Sequence, residues 1–169
     1  MLRIKCSNTE TKQKKVCEIS SINVEQRSGM RLRKVTPDGN CLFSAATVCV
    51  MHVDGKDIDD AKTEEAEIQD RALALRGNVV QFMRKHKAEI EPFMTDDFEA
   101  YMGEMEKPHK WGGERELFAI ANVTRRLVHV YTENQGELVK LCEYGDARAA
   151  AKETICLLFS SMHYDALLP

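Results

Sequence analysis

The chain has 169 residues, 43% of them apolar and 30% charged, with a net charge of −3. That length suits one domain with a core of its own, independent of disulfides or metals. The balance argues against disorder, and the small negative charge argues against a bulk pull toward nucleic acid or an anionic membrane.

At the N-terminus, "MLRIKCSNTETKQKK" is charged within three residues and has no apolar h-region, so it does not read as a secretory signal. Residues 2–7 and roughly 15–24 read as two short strands around a polar turn, which makes 1–30 an extension carrying a short β-hairpin. The basic stripe "RSGMRLRK", Arg27 to Lys34, reads as a solvated, charged entry to the main domain, residues 31–169. "VTPDGN" is a concentrated turn signal. "CLFSAATVCVM", Cys41 to Met51, is apolar on every face and reads as a buried helix. The acidic stretch after it runs as a loop into an amphipathic helix. There Ile68, Ala72, Leu75, Val79, Phe82 and Met83 recur at spacings of three or four, ending near His86. Gly77 weakens its middle.

A short helix is expected from Thr95, with Asp96 and Asp97 in its first turn, where acids suit the dipole. The Gly112-Gly113 turn opens a further helix carrying Leu117, Ile120 and Ala121 on one face. "RLVHVYT", "GELVKLCEYG" and "TICLLFSS" read as three strands. The last is mostly apolar and so central. Helices come first and strands last, the pattern of one α+β domain. No apolar run approaches the roughly 18 residues of a membrane span.

The six cysteines are Cys6, Cys17, Cys41, Cys49, Cys142 and Cys156, and none forms a C-x-x-C pair. No metal site or cofactor is therefore expected. Cys41 and Cys49 would lie about 12 Å apart at roughly 1.5 Å per helical residue, too far to bridge. Scattered thiols without a signal peptide suggest a reducing compartment, the cytoplasm and also the nucleus.

Cys41 has two readings. It is a small core hydrophobe, or it is a nucleophile held at a helix N-terminus. A nucleophilic thiol needs a depressed pKa, a base, and donors for the oxyanion. The helix start favours thiolate over thiol. In the tight turn before it, Gly39 lets the backbone approach a substrate, and the amides around Gly39 and Asn40 are placed to form an oxyanion hole. The base must be one of five histidines: His52, His86, His109, His129 or His163. His163 follows the last strand and has Asp165 two residues on. In an extended segment those two side chains share a face at roughly 6.5–7 Å, so the carboxylate can fix the imidazole tautomer and stabilise its charged form.

Three blocks then carry a resemblance. "PDGNCLFSA" resembles the signature of the ovarian tumour (OTU) family of cysteine proteases, "KWGGERELFAIAN" its central Trp-Gly-Gly helix, and "MHYDALLP" its C-terminal His-Tyr-Asp element. They occur in family order over most of the chain. "MRLRKVTPDGNCLF", "ELVKLCEYGD" and "SMHYDALLP" are especially similar to the branch of cytosolic ubiquitin thioesterases found from yeast to animals. That branch often carries an N-terminal ubiquitin-like domain and a C-terminal zinc finger, and neither fits these 169 residues.

The resemblance implies a single OTU-type domain with a small central β-sheet packed between helices. It implies Cys41 as nucleophile, His163 as general base and Asp165 as third member of the triad. Asp38 matches the family acid whose backbone, with the Cys41 amide, shapes the oxyanion site. Trp111 and Gly112 match residues that line a narrow substrate channel. It further implies a monomer that cleaves ubiquitin or polyubiquitin, or a ubiquitin-like modifier, after a Gly-Gly tail. The competing reading is a ubiquitin-binding module of the same fold that has lost turnover.

Overall fold

The computed structural model describes residues 29–56, 58, 63–146 and 154–169. The expected strands at 2–7 and 15–24 lie outside the described residues.

β1 (Arg31–Arg33) is followed by α1 (Cys41–Val53), α2 (Thr63–Lys85), α3 (Lys87–Ile90) and a 3-10 turn at Glu91–Phe93. Then come α4 (Phe98–Met105), α5 (Glu114–Thr124), β2 (Val128–Asn134), β3 (Glu137–Tyr144), β4 (Ile155–Ser160) and β5 (His163–Leu168). The five strands form one sheet in the order β1-β5-β4-β2-β3. Among the described residues, only the β2–β4 pair is parallel. β4 is central, and Ile155, Leu157 and Leu158 are buried, as its continuous apolar run requires.

α1 is buried on nearly every face. Leu42, Phe43, Ala45, Val48 and Met51 are all within 2% of full burial, each large side chain contributing roughly 1.5–3 kcal/mol of transfer free energy. It lies between α2 and the inner face of β4 and β5, so the residue at its first position is carried to the start of β5. The helices share one core with the inner sheet face. The outer face holds a smaller cluster, Cys156, Leu158 and Leu167, on which Met30, Leu32, Tyr131 and Leu138 pack.

Two sequence expectations change. Within the basic stripe, Arg31–Arg33 form a strand: Arg31, Leu32 and Arg33 pair with Leu168, Leu167 and Ala166. In the helix expected from Thr95, Asp97 stands before α4 as its N-cap and accepts the Ala100 amide at 2.8 Å. It is therefore a cap and not a first-turn acid, because a β-region backbone lets its short side chain reach an orphan amide.

Candidate active site

Cys41 opens α1 and is 8% exposed. Its thiol meets the backbone amide of Tyr164 and that of Leu42. Tyr164 sits between His163 and Asp165, so the helix N-terminus rests on the strand that carries both. His163 Nε2 lies 3.1 Å from Asp165 Oδ1. The same oxygen accepts the Val35 amide at 2.9 Å, a second bond that helps fix the carboxylate. β5 begins after a two-residue hairpin turn in which Ser160 pairs with His163. Ser161 and Met162 in that turn have φ of 50° and 65°, the left-handed geometry of a type I′ turn. Non-glycine residues seldom adopt it, and here it aims Met162 over the site.

Cys41, Trp111, Gly112, Gly113, Phe159, Met162 and Tyr164 line a cavity of about 170 Å³. Trp111 is 59% exposed and Met162 63%. Two large apolar side chains left in solvent beside a buried thiol make a groove suited to a slender apolar or backbone-only ligand.

The expected depression of the Cys41 pKa is not found. Burial pushes the thiol up from its ordinary 9.0, and the Asp38 and Asp165 charges push the same way. The Tyr164 and Leu42 amides pull it down, but two amides do not offset desolvation of a thiolate. Helix position alone therefore does not ionise Cys41.

The Asp38–Asn40 turn is held from several sides. Asp38 Oδ1 takes the Asn40 amide at 2.8 Å, and the Asp38 amide donates to the Thr36 carbonyl at 3.0 Å. The amides of Gly39 and Cys41 have no hydrogen-bond partner among the described residues. Gly39 has φ of 83°, and a Cβ there would lie 2.0 Å from the His109 carbonyl oxygen. Its freedom thus serves an approach by the chain's own loop, where sequence reading had placed a substrate. Asn40 is buried at 1% exposure, and its Oδ1 accepts from Arg76 Nη2 at 2.8 Å and Nε at 3.1 Å. It faces the interior and not the groove.

Gly112 lines the cavity, but an added Cβ would meet Leu42 at 2.8 Å and Glu116 and Phe43 at 3.3 Å, on the core side. The Gly112-Gly113 turn is pinned by Glu116, fully buried, whose carboxylate takes the Gly113 amide at 2.7 Å and the Tyr101 hydroxyl at 2.8 Å. Arg76, Glu116 and Met162 are not marked as functional by the sequence, and His109 stands there only among the five candidate bases. Arg76 did leave a signal: it falls on the apolar stripe of α2, four residues from both Ala72 and Val80.

Residues 36–166 match the family described as OTU-like cysteine protease. Over 135 residues the chain is 34% identical to an Arabidopsis thaliana protein named "OVARIAN TUMOR DOMAIN-containing deubiquitinating enzyme 4", covering 78% of this chain and 41% of that protein. It thus spans about two fifths of that relative's length. Among solved structures, the OTU domain of OTUD1 has a TM-score of 0.69 at 22% identity, covering 88% of this chain and 91% of that one. The Hazara virus OTU bound to ubiquitin has a TM-score of 0.58 at 17% identity, covering 82% and 80%. With the family's match running from the turn before Cys41 to the strand that carries His163 and Asp165, this chain belongs to the OTU-like cysteine proteases.

Proposed function

We propose that the chain is a deubiquitinating thiol protease that hydrolyses the peptide, isopeptide or thioester bond after the C-terminal glycine of ubiquitin. The observation that carries the reading is the contact of the helix-start thiol of Cys41 with the backbone amide of Tyr164, the residue between the hydrogen-bonded His163 and Asp165.

The protonation follows from hydrogen-bond chemistry. A carboxylate only accepts, so Asp165 takes a proton-bearing Nε2. That leaves Nδ1 of His163 with a lone pair for the thiol. Cys41 gives its proton to Nδ1, and the resulting imidazolium offsets the desolvation that otherwise holds the thiol protonated. The thiolate attacks the glycine carbonyl carbon. The amides of Gly39 and Cys41 receive the oxyanion, since those of Asp38 and Asn40 are already engaged. As the tetrahedral species collapses, His163 returns the proton to the leaving amine. Water, deprotonated at Nδ1, then cleaves the thioester and frees Cys41. Trp111 and Met162 flank the tail, and a groove of this volume suits residues without side chains.

All four described cysteines are free, which supports a reducing compartment, cytoplasmic or nuclear. Hydrolysis of a ubiquitin C-terminal fluorogenic amide tests the whole reading. Cys41→Ala should fold, retain ubiquitin binding and lose turnover by several orders of magnitude, because triad members act as a unit. A wild-type protein that binds ubiquitin yet never turns over would instead mark a silent binding module.

A further inference from the structure

Arg76 lies in the middle of α2 at 2% exposure, its guanidinium 4.2 Å from the centre of the Phe43 ring. A buried cation is expensive to desolvate, and none of its hydrogen-bond acceptors is a carboxylate. Nε and Nη2 donate to Asn40 Oδ1, and Nη2 also to the Gly39 carbonyl at 3.3 Å and the Lys110 carbonyl at 2.7 Å. Nη1 donates to the Met105 carbonyl at 3.1 Å and contacts Met105 Sδ at 3.4 Å. Two of these acceptors belong to the residues immediately before Cys41. Another belongs to the residue immediately before Trp111. The planar fork therefore joins the turn that presents the oxyanion donors to the loop that presents the groove wall. A second tie runs alongside, from His109 Nδ1 to the Asp38 carbonyl at 2.8 Å.

We propose that Arg76 is a positioning residue that locks the Asp38–Cys41 turn and the Lys107–Gly113 loop into one unit, so that thiol, oxyanion donors and groove wall stay in register. A residue there for packing alone would be better as Met or Leu, since replacing a buried ion by apolar side chains is often neutral or stabilising. Lysine cannot substitute, because one ammonium has three donors and no fixed fork. The inference rests on the protease reading for its effect on rate, but the coupling of the two loops is measurable without turnover.

The test compares wild type with Arg76→Lys and Asn40→Ala. Asn40→Ala keeps the cation and removes the acceptor shared by Nε and Nη2, so it still decides the matter if Arg76→Lys does not fold. Hydrogen exchange followed by NMR reads the amides of 39–41 and 110–113. Turnover is read on the ubiquitin fluorogenic amide as kcat per active site, titrated with ubiquitin bearing a C-terminal electrophile. Loss of folded protein lowers the titrated fraction and leaves kcat per site unchanged, whereas loss of register lowers kcat per site. Exchange should rise in both loops together in each variant, and kcat per site should fall about tenfold or more, because misplacement by about 1 Å costs up to about 10²-fold. Faster exchange in one loop only, or in neither, overturns the proposal, as does kcat per site within about twofold of wild type. If wild type itself does not hydrolyse the amide, the protease reading falls and the exchange data alone decide whether Arg76 couples the loops.

Discussion

Gly39→Ala is the sharpest perturbation available near Cys41 that leaves every polar side chain in place. The added methyl would lie 2.0 Å from the His109 carbonyl oxygen and 2.7 Å from its carbon, both backbone atoms. Ordinary contact begins at 3.4 Å, so the two loops must part by about 1.4 Å. An L residue in the left-handed region costs roughly 1–2 kcal/mol, and forced overpacking adds roughly 1–3 kcal/mol. Taken near the middle, about 3 kcal/mol on a domain of this size lowers Tm by about 6–12 °C. The parting also breaks the bond from His109 to Asp38 and strains the Lys110 carbonyl's bond to Arg76. A shift of about 1 Å in the oxyanion turn should reduce kcat/KM about 10²-fold. The assay is hydrolysis of the ubiquitin fluorogenic amide well below the variant's melting temperature, beside a thermal melt. A Gly39→Ala protein that melts and hydrolyses like wild type refutes the reasoning, because the two loops would then have room between them.

Trp111→Ala should leave Tm unchanged and raise KM, since the indole is mostly exposed; a large drop in Tm would show that it holds the core. Gly112→Val should behave oppositely, losing roughly 1–3 kcal/mol by driving a side chain onto Leu42 and Phe43, and a normal melt with blocked hydrolysis would contradict this. His163→Ala should alkylate with iodoacetamide slowly at neutral pH and quicken only above pH 9.0, because burial raises the Cys41 thiol once no imidazole can take its proton; fast alkylation at pH 7 would mean another group ionises it. Asp165→Ala should reduce kcat less than His163→Ala does, and it should also destabilise by about 1–3 kcal/mol because the Val35 amide loses its acceptor. Stability should fall in alkali. Burial holds Cys49, Tyr101 and Tyr164 at about 12, above their ordinary 9.0, 10.0 and 10.0. Unfolded chains release those protons first, so the stabilisation is complete below pH 9 and is lost as pH rises toward about 12. A Tm that holds steady from pH 8 to 11.5 would contradict it.

Much of this molecule is legible one segment at a time. The apolar run from Cys41 to Met51 reads as a buried helix and the run from Ile155 to Leu158 as a covered strand, because composition reports burial and run length separates the two. The His163–Asp165 contact is equally local, since alternate residues of a strand share a face. Asp38-Gly39-Asn40 reads as a turn without help, but what its parts are used for does not follow from that. Gly39 is glycine because His109, distant in sequence, passes within 2.0 Å of where a Cβ would be. Asn40 is buried because a guanidinium from α2 takes its carbonyl oxygen. A three-residue strand is too short to show a period, and its arginines read as solvated surface until β5 lies beside it. The pKa of Cys41 likewise escaped local reasoning. A helix N-terminus favours the thiolate, but burial is a property of everything packed around it, and here the packing wins. Chain neighbours decide which residues can form an element and which can share a face. Only the folded chain decides how much water each group keeps and which distant atom meets it, because desolvation and close contact are set by the sum of neighbours from all elements at once.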